Sequence, residues 1–278
     1  MQLFYIFVAS NYYEIYIIKM EKQKIALWCG LALLPFLTFA QEINTGSGRI
    51  GFEFGSDNYF GGINVPERVR ASKSVYEYND FYYGSPKANQ SITTLYGGVN
   101  YETYFNNDRL GFSAGLRFSQ FTSEISAGWN QNYLVWLFRQ DETYTDFLTI
   151  RSITQNNNYL GVPLSLRYIL PRKRDSFFTQ YFKLGTAINY CLSTNNSILF
   201  FDASMSRHED AVSEQIGKPN PLNALIYPAY GFKFGRMKNV WVNLEFIFPG
   251  FIIGNNAHPF VKTNVGMGIQ LAVQIPLK

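Results

Sequence analysis

The sequence predicts an all-β chain, an eight-stranded antiparallel up-and-down transmembrane β-barrel. Three observations lead there. Apolar residues alternate with small or polar ones through most of the chain, the two-residue period of a strand, and no helical stripe of useful length interrupts them. Connections alternate strictly between short and long, as in barrels with tight turns at one end and large loops at the other. The apolar set is also too bulky to fit inside eight strands, whose lumen is just wide enough for side chains to fill. Composition agrees: 18% of the residues are aromatic and 16% charged, with 22 glycines in 278 residues. A helical membrane protein would instead need roughly 20 consecutive apolar residues per span.

The one apolar run that approaches this length is Ile25–Ala40, and its flanks make it a leader. Lys22 and Lys24 precede the apolar stretch Ile25–Phe36, and Thr38-Phe39-Ala40 ends in a small residue at the last position before Gln41. This is the pattern of a secretory signal peptide over 20–40, cleaved near Ala40-Gln41. Residues 1–19 lack caps or a clear period and read as a mis-called upstream start or an extended n-region. Residues 41–278 form the barrel domain. Without the leader the chain carries 21 basic and 18 acidic residues, a net charge of +3, too mild to indicate nucleic acid. Cys29 leaves with the leader and follows Trp28, not the small residue a lipoprotein site needs; Cys191 remains alone and forms no intramolecular disulfide.

The strands follow in order. The first, at about 49–57, sets Ile50, Phe52 and Phe54 against Gly51, Glu53 and Gly55. The second, 92–105, sets Val99, Tyr101 and Phe105 against Gly98, Asn100 and Glu102; the tight turn Asn106–Arg109 leads into the third, 110–122, with Leu110, Phe112, Leu116 and Phe118 opposing Gly111, Ser113, Gly115 and Arg117. The fourth, 158–169, alternates Leu160, Val162, Leu164 and Leu166 with Gly161, Pro163, Ser165 and Arg167, and the charged turn Arg172–Asp175 ends it. Pro163 removes a ladder donor and predicts a local bulge. The fifth, 179–192, opposes Phe182, Leu184, Ile188 and Tyr190 to Lys183, Gly185, Ala187 and Asn189. The sixth, 222–235, carries Ile226, Tyr230, Phe232 and Phe234 against Gly231 and Lys233; after the turn at 236–239 the seventh, 240–250, carries Val240, Val242, Leu244, Phe246 and Phe248 against Asn243 and Glu245. The eighth, 262–276, sets Val265, Met267, Ile269, Leu271, Val273 and Ile275 against Gly266, Gly268, Gln270, Ala272 and Gln274. The long connections are 58–91, 123–157, 193–221 and 251–261.

Volume decides which face points outward. The small face also holds about one long polar side chain per strand: Glu53, Glu102, Arg117, Arg167, Lys183, Lys233, Glu245 and Gln270. On a lipid-facing surface each Arg or Lys would cost roughly 2–4 kcal/mol at the midplane. Inside, three carboxylates can pair with four cations. These residues are expected to form one lumenal network, a structural plug, with the acids on one arc and the cations on the opposite arc.

The motif "YLGVPLSLRY" (159–168), the leader ending "FAQ" (39–41) and the hairpin rhythm resemble the PorT-type outer-membrane β-barrel proteins of Bacteroidota. The resemblance covers about 41–278. It implies a small outer-membrane barrel, assembled by the barrel-assembly machinery and surrounded by outer-membrane lipid; one branch of the family serves type IX secretion. The chain departs from the usual aromatic barrel ending, finishing Gln274-Ile275-Pro276-Leu277-Lys278.

Chemistry-bearing motifs are sparse. His208 sits beside Glu209 and Asp210, with Ser204 and Ser206 nearby, but the spacing is not diagnostic of a base and nucleophile. His258 precedes Pro259 with no acid or serine close by. Two histidines and one cysteine do not make a metal cluster, and "GGIN" (61–64) has no following helix to form a phosphate loop. No catalytic residue, metal or cofactor is expected. The loop aromatics Trp129, Tyr133, Trp136 and Tyr144 are candidates for binding a sugar or a partner protein, although packing or interfacial anchoring is the commoner use. The expected function is a non-enzymatic outer-membrane scaffold or binding module, an accessory subunit of an envelope or secretion complex. A small porin-like channel is the alternative, and a membrane-embedded lipid hydrolase is less favoured.

Overall fold

The structure, a computed structural model, describes residues 48–63, 68–71, 88–106, 109–127, 133–139, 145–171, 176–236, 240–253 and 261–277. The leader expected over 20–40, and residues 1–19 before it, lie outside the described residues. Among the described residues there are ten strands: β1 (Arg49–Ile63), β2 (Val69–Ala71), β3 (Ala88–Phe105), β4 (Leu110–Ala127), β5 (Leu134–Arg139), β6 (Thr145–Ile169), β7 (Phe178–Phe200), β8 (Leu222–Phe234), β9 (Trp241–Ile253) and β10 (Val261–Pro276). Between β7 and β8 a 3₁₀ turn (Ala203–His208) runs into the helix α1 (Glu209–Gln215).

Eight of these strands close into an antiparallel ring in the order β1-β3-β4-β6-β7-β8-β9-β10, with β10 returning to β1. They are the eight that the alternation marks out. One row of paired residues traces the closure. It leaves β7 at Asn189 and passes through Gly161, Arg117, Gly98, Glu53, Ala272, Asn243 and Lys233. It returns to β7 at Thr179, a stagger of ten residues. Strand number and stagger together set the tilt and width of a barrel. Every residue in this row is small or polar, so the row belongs wholly to the lumen.

Tight connections join β3 to β4, β6 to β7 and β8 to β9 at one end, here the turn end. Asn106 adopts a left-handed φ of 53° in the first, and Gly235 a φ of 129° in the last, conformations that Asn and Gly tolerate best. The other end, the loop end, is more structured than the sequence suggests. β6 and β7 run 25 and 23 residues, well past the ends read from the lipid-type alternation. Where β4 stops, β5 takes its place beside β6, with Leu134 opposite Ile150, and β2 pairs in turn with β5. The barrel wall therefore rises on one side into a four-strand extension of β2, β5, β6 and β7.

The bulge expected at Pro163 is not there. The β4–β6 ladder lapses between the pairs Ala114–Leu164 and Arg117–Gly161, but the register is the same on both sides. The missing N–H is absorbed by a skipped rung opposite Gly115, with no inserted residue. The register shifts of β6 occur higher, at Asn158/Tyr159 and Ile150/Ser152 against β7.

The alternation separates two surfaces cleanly. Phe52, Phe54, Val99, Leu116, Phe118, Leu160, Leu166, Leu184, Ile188, Phe246, Ile269 and Leu271 are all exposed on the outer face. The inner face packs by complementarity across the ladder. Tyr96 lies opposite Gly55, Tyr227 opposite Gly185, Tyr181 opposite Gly231, and Tyr59 opposite Gly266. In each pair the tyrosine ring occupies the space that a Cβ on the glycine would need. Large rings thus fit a narrow lumen because the residue beside them has no side chain.

This packing predicts a contrast. Gly231→Val would drive a side chain into the Tyr181 ring and should destabilise the barrel by roughly 1–3 kcal/mol. At Gly97, on the outer face, a Cβ would meet the Phe54 ring at 3.1 Å, and that exposed ring can turn away. Denaturant midpoints of the detergent-solubilised variants should therefore fall for Gly231→Val and move little for Gly97→Val; equal shifts would contradict the glycine–tyrosine account.

Candidate functional site

The lumen holds the polar residues singled out from the sequence, in three groups. In the first, Arg117 of β4 bonds Glu53 of β1 at 2.6 Å. The two strands flank β3, and Gly98 lies between the pair in the same row, leaving room for the contact. Asn100 and Gln270 each donate to the second oxygen of Glu53, at 3.1 and 3.2 Å. The Arg117 guanidinium also donates to the Tyr227 hydroxyl and lies over the Tyr96 ring; the Tyr96 hydroxyl donates to Gln270.

The second group centres on Glu245 of β9. Its carboxylate accepts from Lys183 at 2.8 Å, from Arg167 at 3.1 Å and from the Tyr181 hydroxyl at 2.7 Å. Arg167 reaches Glu102 at 3.2 Å and donates to Tyr104 and Gln274, and Gln274 in turn donates to Glu102. Lys183 also lies 5.8 Å from the Tyr227 ring, which links the two groups.

Lys233 belongs to a third group. Its ammonium lies 3.4 Å from the centre of the Trp241 ring, and the Arg49 guanidinium lies 3.3 Å from the same ring. The Trp241 N–H is taken by the Arg236 carbonyl, and Tyr104 meets Trp241 edge-on. The three carboxylates and three of the cations meet over two or three strands of the ring, as two linked clusters, and the Tyr104–Trp241 contact joins the cation–aromatic stack to the second of them. All eight of the named residues, Glu53, Glu102, Arg117, Arg167, Lys183, Lys233, Glu245 and Gln270, are at most 5% exposed. The alternation alone did not single out Arg49, Asp57, Trp241 or the interior tyrosines, which share this face.

Toward the loop end the lumen changes character. Ile92, Phe121, Ile125, Ile153, Tyr159, Ile198, Leu225 and Ile247 turn inward and form an apolar core. Leu134, Trp136, Phe138 and Leu148 from the extension join it, as do Val212 of α1 and Ile216 just after it. Burial of Val212 and Ile216 holds the helix segment over the barrel mouth at roughly 2 kcal/mol each. Gln215 accepts from the Trp136 indole N–H at 3.2 Å and from Arg68 at 2.9 Å, tying α1 to the extension. Asp202 caps the preceding 3₁₀ turn by accepting from the Ser204 N–H, which holds its carboxyl below the usual range.

The loop candidates divide accordingly. Trp136 is fully buried in this core and offers no face to a ligand, a correction to its reading as a binding aromatic: the strand β5 turns it inward. Tyr133 is half-buried and packs on Phe201 with ring centres 5.3 Å apart. Trp129, Tyr144 and His258 lie outside the described residues. His208 accepts from Arg207 at 3.1 Å and packs near Phe138. Its neighbour Glu209 accepts the Ile198 backbone N–H, covering the upper edge of β7.

No family model matches the chain, and no curated protein matches it. Among solved structures it is similar to Neisserial surface protein A, with 8% identity over 83% of this chain and 97% of that one and a TM-score of 0.38. It is similar also to the outer membrane protein OprG from Pseudomonas aeruginosa, with 12% identity over 83% and 94% and a TM-score of 0.34. The N-terminal β-barrel domain of OprF from the same organism matches at 10% identity over 83% and 100%, with a TM-score of 0.30. At these scores the likenesses add nothing to the barrel already described.

The lumenal clusters have a measurable consequence. Glu53→Leu or Arg117→Leu alone leaves a buried charge without its partner, at a cost of roughly 3–5 kcal/mol. The double substitution removes both charges and should cost less than either single one. Unfolding of the three variants in detergent forms the double-mutant cycle. Additive losses would show that Glu53 and Arg117 do not act as a pair.

Proposed function

We propose that the chain is a non-enzymatic outer-membrane barrel of scaffold or binding type, an accessory subunit of an envelope or secretion complex, kin to the PorT-type barrels its fourth-strand motif resembles. The observation that carries this reading is the inverted surface. Large apolar side chains cover the outside of the ring while the buried inside holds paired charges. In water such a surface has no reason to persist; around a barrel it is what a hydrocarbon layer selects. On β6 the outward apolar positions run from Leu160 to Tyr168, the roughly 9–11 residues that a tilted membrane strand needs.

Two features favour a scaffold over a channel. The charged side chains at mid-barrel are bonded to one another inside the lumen, and above them α1 and the apolar core fill the mouth. Packing of this kind is what supports the scaffold reading over the channel. The raised extension of β2, β5, β6 and β7, pinned by α1, gives the loop end a firm platform on which a partner protein could dock. With the tight turns in the periplasm, that platform stands at the cell surface. The barrel-assembly machinery and outer-membrane lipid are the partners this reading requires. The loop histidine bonds to Arg207 and its acidic neighbour to backbone, which gives a hydrolase reading no support.

The reading is tested by reconstitution. The purified protein should float with phospholipid vesicles after alkaline extraction, migrate differently on gels before and after boiling, and produce no steps of conductance in planar bilayers. Recovery as a water-soluble species without detergent would refute the membrane assignment, and discrete conductance steps would favour the channel.

A further inference from the structure

The amphipathic sense of the strands inverts part-way along the wall. On β4 the outward residues are Phe112, Ala114, Leu116 and Phe118 and then, without transition, Gln120 and Thr122, while the inward set changes from Arg117 and Ser119 to Phe121, Ser123 and Ile125, two of the three apolar. On β6 the same switch falls between Leu160 and Asn158, which lie opposite Phe118 and Gln120. The change is therefore in register on neighbouring strands and marks one level around this side of the barrel.

Beyond that level the outer face is polar in a particular way. One row crosses five strands as Asn58, Thr93, Thr122, Asn156 and Asn195. Thr93 donates to Asn58 at 3.0 Å and Thr122 to Asn156 at 2.7 Å. Asn158 in the row below donates to Ser193 at 3.0 Å. Five strands at ~4.8 Å spacing make a surface about 20 Å wide. Neither row contains a cation or an acid; the lower one also holds the exposed Leu95, and the first acid, Glu124, stands in the next row up between Ser91 and Thr154. A sheet face that merely meets water is ordinarily rich in Lys and Glu. Asn and Thr present donors and acceptors together, the property that matches a sugar hydroxyl, which is also both. The absence of Lys and Arg in these rows argues against phosphate, which calls for Arg or Lys.

We propose that this band on β1, β3, β4, β6 and β7 binds the sugar headgroup of an outer-leaflet glycolipid. The inference rests on the membrane reading above. Its occupant follows from position, because the band continues directly from the apolar belt, and what lies next to a lipid tail is its own headgroup. The acyl chains would cover Phe118, Leu160 and Ile188, and the sugar would lie along the Asn–Thr row. The cross-strand bonds pre-orient this row, with the acceptor oxygens of Asn58 and Asn156 already engaged and their amide N–H groups left as donors.

The test uses the full barrel reconstituted in phospholipid nanodiscs with added lipopolysaccharide, and glycolipid retained per barrel is read by mass spectrometry after exchange. The variant Thr122→Val/Asn156→Leu/Asn195→Leu should retain about tenfold less glycolipid, the effect of losing one or two hydrogen bonds. Phospholipid retention and heat-modifiable migration should be unchanged. The conservative variant Thr122→Ser/Asn156→Gln/Asn195→Gln should keep binding. Equal glycolipid retention by wild type and the apolar variant would overturn the proposal. So would equally tight binding of the delipidated oligosaccharide, which would mean a soluble sugar site. If the protein fails to enter the nanodiscs at all, the membrane reading fails first, and the two failures are thus distinct.

Discussion

The rest of the structure depends on the volume enclosed when eight strands close with a stagger of ten residues. That lumen must be filled, because a void forfeits the contacts of its lining, and it cannot hold the large apolar face of eight strands. The large face is forced outward. What remains for the inside is a set of glycines and small residues, into which long polar side chains and tyrosines fit one beside another. Glycine is then a packing partner here more than a flexible joint. Gly98 lets Glu53 and Arg117 meet across a strand, and Gly55, Gly185, Gly231 and Gly266 make room for four tyrosine rings. Once buried, each charge must find a partner, since an unpaired one costs several kcal/mol. The carboxylate of Glu245, shared among Lys183, Arg167 and Tyr181, meets that requirement for three strands at once.

How much was legible in the sequence follows from the same constraint. The eight ring strands could be read because a large apolar outer face and a tight lumen impose a strict two-residue period. The eight lumenal polar residues could be read because they interrupt a face of small residues. The interior tyrosines could not: Tyr alternates as readily on a lipid interface as in a lumen, and only the register reveals that Tyr96, Tyr181 and Tyr227 each face a glycine. The upper half of β7 reads as loop because its period carries the opposite sense, and for the upper half of β6 the aromatics of 123–157 hint at strand above the barrel without giving its bounds. In "SITQNNN" (152–158) the residues that point outward are Ser152, Thr154, Asn156 and Asn158, and a search for an outward apolar face passes over them. β2 and β5 are short and pair only with the extension, so nothing in their own sequence announces them. Trp136 looked like a loop aromatic for the same reason.

The inversion also explains how one barrel carries two cores. Below the switch the outside is apolar and the inside is charged; above it the inside becomes apolar and Val212 and Ile216 close it from the top. Each half follows ordinary packing rules, an apolar wall around a charged lumen in one and a polar wall around an apolar core in the other. The strands pass between them without a break in the ladder on β4. On the membrane reading proposed above, the level of the switch marks where the hydrocarbon ends on this wall.

The most direct measurement of this account is a single-cysteine scan of β6 from 152 to 168, with the native Cys191 replaced by Ser, in reconstituted vesicles. Each position is read with a lipid-soluble and a water-soluble quencher. The account predicts that even-numbered positions from 160 to 168 respond to the lipid-soluble quencher and odd-numbered positions to neither. Even-numbered positions from 152 to 158 should respond to the water-soluble one. Lipid contact at odd-numbered positions such as 165 and 167, or no alternation, would contradict the inside-out barrel.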